Sequence, residues 1–264
     1  MLKKSLTKNI LGLAILSIVI LMAIGYYADN SSDQQYCPIM AIELHGDLTT
    51  YAIEDINDTD YSSADYITWA IRDADSNDDV SAILLEVDSY GGSGVAGDEI
   101  ATALKEASKP TAVLVRNSAV SASYWATTGA DYIVASVISD TGGIGVTASY
   151  LDNTLKNSQE GLTYIDLSSA KFKNMGDPNK PLTIEERALW QRDLEIMHQH
   201  FIEQVAINRG LEIENVRNLA DGSTILGQMA LENGLIDKIG GRKEVIEYLI
   251  DKGVIDEDQE FCWY

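Results

Sequence analysis

Short apolar runs rich in β-forming residues alternate with helical patterns along the chain, and this alternation constrains the fold most. The runs are IMAIEL (39–44), VSAILLEV (80–87), TAVLVR (111–116), YIVASV (132–137) and LTYIDL (162–167). Helical patterns lie between them at Ala64 to Asp75, Val95 to Ala107 and Ser121 to Gly129. Strands that alternate with helices pair in parallel, and nearly continuous apolar strands suit a sheet covered on both faces. The sequence therefore predicts an α/β fold with a largely parallel sheet.

The C-terminal half is predicted to be mostly helical. A long helix is expected from Ile184 to Arg209, because Thr183 and Glu186 have capping-box spacing and Gly210 follows the last turn. Apolar side chains recur along it at helical spacing, which favours packing in a core or a subunit interface. These side chains are Trp190, Leu194, Met197, Phe201 and Val205. Further helices are predicted at Glu214 to Leu219, Gln228 to Asn233 and Arg242 to Lys252.

The N-terminus carries an uncharged, mostly apolar run from Ile10 to Tyr27. As a helix it would be about 27 Å long, close to the thickness of a bilayer core. Lysines precede it and acids follow it, so the positive-inside rule places the N-terminus in the cytoplasm and exports the rest. We expect a single-pass protein of the cell (inner) membrane, with a tail and anchor at 1–28, a polar spacer at 29–37 and an extracytoplasmic domain at 38–264. A cleaved signal peptide, cut after Ala23-Ile24-Gly25, is the alternative.

Charge and metal-ligand content exclude some classes of partner. The net charge is −22, which repels phosphate backbones, so we expect no nucleic acid partner. The two cysteines and three histidines have no metal-ligand spacing, so no metal site is expected. Cys37 and Cys262 are free to pair in an oxidising compartment.

Two local patterns could carry chemistry. A turn containing Gly91 and Gly92 follows a predicted strand, and such glycines let backbone N–H groups point into a cleft, as an oxyanion hole requires. Residues 92–97 also read GxGxxG, but the next strand does not end in the acidic residue that a dinucleotide site needs. Ser118, Ser121 and Ser123 lie at the start of the helix after TAVLVRN. Serines at this place fit helix caps. One of them could instead be a nucleophile, although the chain has no GxSxG motif.

Three segments carry a resemblance to a known family. They are VSAILLEVDSYGGSGVAGDEIATAL, TAVLVRNSAVSASYWATTGADYIVAS and TGGIGV, followed by a Lys-rich turn before the long helix. The chain resembles the bacterial signal peptide peptidase A family, which consists of membrane-anchored serine/lysine proteases. In that family the nucleophile lies in Ala-Ser-Gly-Gly-Tyr-Tyr, which matches residues 120–125 here and selects Ser121. The resemblance implies that Lys173 is the general base, with Lys171 as an alternative, and that Gly91 and Gly92 provide the oxyanion donors.

The resemblance also implies a fold, an assembly and a reaction. The fold of the domain at 38–264 would be a crotonase-like or caseinolytic-protease-like spiral of β-β-α turns. The activity would be endopeptidase cleavage of signal peptides or other membrane-associated peptides by a Ser/Lys dyad, without metal or cofactor. Members of the family form homo-oligomeric rings, so the serine and lysine of one site are free to come from different chains.

The chain departs from the family pattern next to the nucleophile. Ala122 and Ser123 replace two glycines, and Tyr90 replaces a proline in the glycine turn. Two alternatives remain open. The departures at Ala122 and Ser123 leave a catalytically inactive scaffold or binding protein on the same fold, and the shared fold with its glycine-rich turn leaves a crotonase-type enzyme acting on an acyl thioester.

Overall fold

The computed structural model describes Met22 and residues 38–52, 61–256 and 261–264. The chain divides into two compact units, Met1–Cys37 and Pro38–Tyr264, and the description below concerns the second. The anchor expected at 10–27 and the spacer at 29–37 lie outside the described residues, apart from Met22. No helix within the described ranges is both long and apolar enough to cross a bilayer.

A mostly parallel sheet forms the centre of the second unit. Its described strands are β1 (Ile39–Thr49), β2 (Tyr61–Ser63), β3 (Ala82–Gly92), β4 (Thr111–Val120), β5 (Tyr132–Ala135), β6 (Asp140–Gly142), β7 (Thr224–Leu226), β8 (Lys238–Ile239) and β9 (Phe261–Trp263). The main order is β2-β1-β3-β4-β5-β8; β9 pairs with β1, β6 pairs with β4, and β7 runs antiparallel to β6. The predicted α/β class with a largely parallel sheet is confirmed.

Helices cover both faces of this sheet. They are α1 (Ala64–Ser76), α2 (Gly94–Glu106), α3 (Ala122–Thr127), α4 (Thr154–Gln159), α5 (Ile184–Arg209), α6 (Ile213–Leu219), α7 (Gly227–Glu232) and α8 (Arg242–Asp251). The alternation of side chains along each strand divides the core in two. On β3, Ile83 and Leu85 pack with α1, α2, α3 and the C-terminal part of α5, whereas Ala82 and Leu84 pack with α8.

Most predicted elements are present at nearly the predicted bounds. The capping box at Thr183 and Glu186 starts α5, and Gly210 ends it in a left-handed conformation. The predicted strand at 162–167 is wrong, because this segment has no strand pairing and is exposed throughout. Its apolar pattern matched a buried strand, yet Leu162, Ile165 and Leu167 are 60%, 75% and 93% exposed.

The segment around it forms what we call the exposed arm, residues 145–185, in which no residue is buried. Polar contacts order the arm locally. Asp177 accepts hydrogen bonds from the amide of Asn179 (2.8 Å) and the hydroxyl of Tyr164 (2.9 Å). At the base of the arm, Lys180 forms an ion pair with the buried carboxylate of Glu186. The arm therefore combines local polar contacts with apolar side chains that are exposed to solvent.

The C-terminal strand β9 carries a disulfide. Cys262 is disulfide-bonded, while Cys37, the other cysteine of the sequence, lies outside the described residues.

Candidate active site

A sharp turn between β4 and α3 places Ser121 at the carboxyl edge of the sheet. Ser121 has φ 57° and ψ −127°, and it is the sole non-glycine residue with positive φ in the described part of the chain. Such a conformation costs about 1–3 kcal/mol and persists where the surroundings hold it in place. A strained serine between a strand and a helix is the geometry of a nucleophile elbow, formed here without a GxSxG motif.

Backbone hydrogen bonds hold this elbow on both sides. The amide of Ser121 donates to the carbonyl of Gly142 at 2.8 Å, and its carbonyl accepts from the amide of Trp125 at 3.0 Å. Gly142 and Gly143 both have positive φ, and a Cβ on Gly143 would lie 2.6 Å from a side-chain carbon of Val120. The TGGIGV run therefore serves as the backbone support of the elbow.

The structure separates the three candidate serines. The hydroxyl of Ser118 donates to Asp88 at 3.0 Å, and the hydroxyl of Ser123 donates to the carbonyl of Ser89 at 2.7 Å. Ser121 is the N-cap residue of α3, yet its side chain makes no capping hydrogen bond. The capping interpretation is therefore wrong for Ser121, whose side chain lines a groove instead.

The glycine turn lies directly against this elbow. Gly91 has φ +104°, and a Cβ on it would lie 2.7 Å from the carbonyl oxygen of Val120 and 2.9 Å from the Cβ of Ser121. Gly92 has φ +151°, and a Cβ on it would lie 2.2 Å from the carbonyl oxygen of Leu48. The close approach of the turn to the nucleophile position therefore requires glycine.

The backbone donors near Ser121 are not equivalent. The amide of Gly91 donates to the hydroxyl of Ser89 at 3.0 Å, whereas Gly92 lines the groove beside Ser121. Ala122 also lines the groove, and as the first residue of α3 it has an amide without an intrahelical acceptor. Sequence reasoning did not identify the amide of Ala122 as a candidate oxyanion donor. The available signal was its position at a helix start, directly after the candidate nucleophile.

The GxGxxG pattern has a packing role here. A Cβ on Gly97 would lie 2.4 Å from the carbonyl oxygen of Ala122, so the last glycine lets α2 pack on the elbow. The hydroxyl of Ser93 caps α2 by accepting from the amide of Ala96. Within the described residues, no group of acidic, histidine or cysteine side chains could hold a metal ion.

A groove of about 470 Å³ opens beside Ser121. Its walls come from the glycine turn, the starts of α2 and α3, residues 145–147 and one face of α5. The side chains that define it are Val95, Asp98, Trp125, Val146, Thr147, Met197, His200 and Phe201. Trp125 stacks on Phe201 with ring centroids 4.8 Å apart, so two nearly buried rings lie behind the more exposed Val95 and Met197. The groove can therefore accept an apolar side chain next to a bond held at Ser121.

No lysine is among the described residues that line this groove. Lys173 is exposed on the arm, and Lys171 is 63% exposed and paired with Glu185 at 2.6 Å. Neither lines the groove. Of the predicted site residues, Gly91, Gly92 and Ser121 come together within one chain, and Lys173 does not join them.

A solved structure shares this architecture. A mutant ClpP1 from Listeria monocytogenes aligns with a TM-score of 0.52, covering 77% of this chain and 92% of its own, at 12% sequence identity. This likeness defines the class of fold, a caseinolytic-protease-like α/β domain with its candidate nucleophile at the turn from β4 to α3.

Sequence comparison gives the family. The profile of "Peptidase family S49" matches residues 103–254, so the chain belongs to that peptidase family. The resemblance to signal peptide peptidase A proteins is confirmed.

Three relatives illustrate this membership. A candidate protease of Methanocaldococcus jannaschii is 30% identical over 70% of this chain and 60% of its own length. Protease 4 of Haemophilus influenzae is 31% identical over 80% of this chain and 36% of its own, and a candidate signal peptide peptidase SppA of Enterococcus faecium is 32% identical over 64% and 50%. The chain thus spans between about a third and three fifths of the length of these curated relatives.

Proposed function

We propose that this protein is a membrane-bound serine endopeptidase that cleaves signal peptides or other membrane-associated peptides with a dyad of Ser121 and Lys173. The observation that carries the proposal is the strained elbow at Ser121, a residue that lines a largely apolar groove and lies against a glycine turn. Membership in a peptidase family agrees with this chemistry. The likeness to a ClpP1 chain supports the spiral of β-β-α turns as the finer description of the fold.

In the proposed reaction, the oxygen of Ser121 attacks the carbonyl carbon of the scissile peptide bond. The hydroxyl proton passes to the neutral amine of Lys173, which later gives a proton to the leaving amine. Water then attacks the acyl-enzyme ester, losing a proton to the lysine, and releases the new carboxyl end and the serine.

Backbone donors would stabilise the tetrahedral intermediate. We assign this role to the amide of Ala122 together with the glycine turn, where Gly92 lines the groove and the amide of Gly91 already donates to Ser89. A donor of this kind is worth about 2.7–4 kcal/mol in a studied protease. The positive end of α3 favours the same charge.

The lysine would come from the arm of a neighbouring copy in a homo-oligomeric ring. In one chain the arm exposes Ile165 and Leu167 to water beside Lys173, and apolar surface of this kind favours burial against a partner. An amine acts as a base only when it is neutral, and burial favours the neutral form. A subunit interface would supply both the burial and the proximity to Ser121.

Membrane-associated peptides are the substrate class that best fits the groove. Val95 and Met197, which are 63% and 46% exposed, offer apolar surface in the groove that Ser121 lines, which suits the hydrophobic segment of a signal peptide. The predicted anchor at 10–27 would keep the domain close to such peptides. The proposed serine/lysine reaction needs no metal or cofactor.

Cleavage of a synthetic signal peptide tests the proposal. We expect cleavage by the full chain, loss of cleavage in Ser121→Ala and Lys173→Ala, and retention in Lys156→Ala, which removes another exposed lysine from the same arm. Co-expression of the Ser121→Ala and Lys173→Ala chains should restore part of the activity, because a mixed ring pairs an intact serine with an intact lysine of the neighbour. Full activity of Lys173→Ala would exclude the dyad.

An inactive scaffold on the same fold is the second candidate, and the observation that favours it is the lack of a lysine in the groove of a single chain. Assembled protein that cleaves no peptide would support it. Membership in a peptidase family gives no support to the acyl-thioester alternative.

A further inference from the structure

Ser123 occupies a position where the resemblance places a glycine, two residues after the candidate nucleophile. Its side chain is fully buried, and its hydroxyl accepts a hydrogen bond from the amide of Val120 at 2.9 Å. The same hydroxyl lies 2.7 Å from the carbonyl oxygen of Ser89 and 2.8 Å from that of Val120. A hydroxyl has one proton, so it donates to one of these carbonyls at a time while accepting from the amide.

These contacts join the two halves of the site. Val120 directly precedes the strained Ser121, and Ser89 lies two residues before Gly91. The side chain of Ser89 in turn accepts from the amide of Gly91 at 3.0 Å and donates to the carbonyl of Gly46 at 2.6 Å. One short chain of hydrogen bonds therefore runs from β1 through the glycine turn to the elbow, and Ser123 is its last member.

We propose that Ser123 is a positioning residue, which fixes the distance and orientation of Ser121 relative to the glycine turn. It does not line the groove, so it acts through Val120 and Ser89 and does not touch substrate. The proposal rests on the proposed peptidase function of Ser121. It also means that Ser123, which replaces a glycine of the family pattern, supports the site and does not impair it, because its hydroxyl is buried and hydrogen-bonded.

The buried serine at position 118 provides a matched control. Ser118 lies on β4, is as buried as Ser123 and donates its hydroxyl to Asp88, a partner outside the elbow. Ser118→Ala and Ser123→Ala each remove one buried hydroxyl, so both should lower thermal stability. Only Ser123→Ala should change the geometry at Ser121.

The experiment compares the full chain with these two variants and with Ser123→Cys, which keeps a weaker donor of similar size. We expect Ser123→Ala to lower kcat and the rate of fluorophosphonate labelling about ten- to hundredfold, since small misplacement of a reacting group has effects of this size. KM should stay within about twofold, because the groove is unchanged. Ser123→Cys should fall between wild type and Ser123→Ala, and Ser118→Ala should label within about twofold of wild type.

Three results would overturn the proposal. They are a folded Ser123→Ala that labels at the wild-type rate, an equal loss of rate in Ser118→Ala, and, should Ser123→Ala fail to fold, a Ser123→Cys with unchanged kcat. Wild-type protein that never labels would instead remove the proposed function, and this inference with it.

Discussion

Gly91 faces Ser121 so closely that a Cβ on the glycine would lie 2.9 Å from the Cβ of the serine. The neighbouring atoms are the backbone oxygen of Val120 at 2.7 Å and the backbone nitrogen of Ala122 at 3.0 Å, so the new carbon would meet groups that cannot rotate away. The relation of the turn to the elbow therefore depends on the missing side chain.

Gly91→Ala should lower the free energy of unfolding by about 2–6 kcal/mol, because strain at positive φ and overpacking add together. Gly161→Ala is the matched control, since Gly161 also has positive φ but has open space around its Cβ position. It should cost about 1–2 kcal/mol. Chemical denaturation measures both, and equal losses would show that the contact with the elbow contributes nothing.

Replacing Ser121, the proposed nucleophile, by glycine should stabilise the protein while removing the proposed activity. Ser121→Gly relieves about 1–3 kcal/mol of strain and loses about 0.5–1 kcal/mol through the more flexible unfolded chain, so the free energy of unfolding should rise by about 1 kcal/mol. Ser118→Gly, at a strand residue without positive φ, should be destabilising. A destabilised Ser121→Gly would contradict the assignment of strain to this residue.

Charge placed on the exposed arm should disrupt assembly. Leu167 and Ile165 are exposed in one chain, and we expect Leu167→Glu or Ile165→Glu to lower the mass found by sedimentation and to abolish peptide cleavage. Ile138→Glu serves as a control, because Ile138 is 74% exposed but lies outside the arm. An assembly that tolerates both arm variants would place the subunit interface elsewhere.

The base of the arm should loosen in acid. The hydrogen bond from the Lys180 ammonium, followed by the amide of Thr183, holds the pKa of the buried Glu186 carboxyl below its usual range. A lowered pKa gives stability that is complete above the unfolded value of about 4.3 and is lost as pH falls through the folded value. Relative to the intrinsic exchange rate at each pH, the protection of amides at the start of α5 should therefore fall below about pH 4 in the wild type, and it should be lower already at neutral pH in Glu186→Gln. Glu185→Gln, which changes an exposed neighbour, should keep the wild-type profile.

Long elements with internal signals were predictable from sequence. The capping box and Gly210 bound α5, and the β3 and β4 segments are apolar on both faces because helices cover both sides of the sheet. The segment at 162–167 has the same composition as a strand, but it pairs with no strand in the described part of the chain. Composition alone does not reveal whether a segment has a neighbouring strand with which it can pair.

The candidate site was predictable only in part. The residues around Ser121 pointed to a nucleophile through a resemblance, but the positive φ of Ser121 depends on Gly142 and the glycine turn, which are distant in sequence. The roles of Ser89 and Ser123 also arise from contacts between strands, so no local pattern indicated them. Lys173 was proposed from its order in the chain, and that order does not predict whether a lysine of the same chain or of a neighbouring copy would reach the groove.

Fluorophosphonate labelling of the full chain, followed by peptide mapping, shows whether Ser121 is an activated nucleophile. We expect one labelled site at Ser121, with labelling lost in Ser121→Ala, strongly reduced in Lys173→Ala and kept in Ser118→Ala. Folded and assembled wild-type protein that stays unlabelled, or that carries the label on another residue, would contradict it.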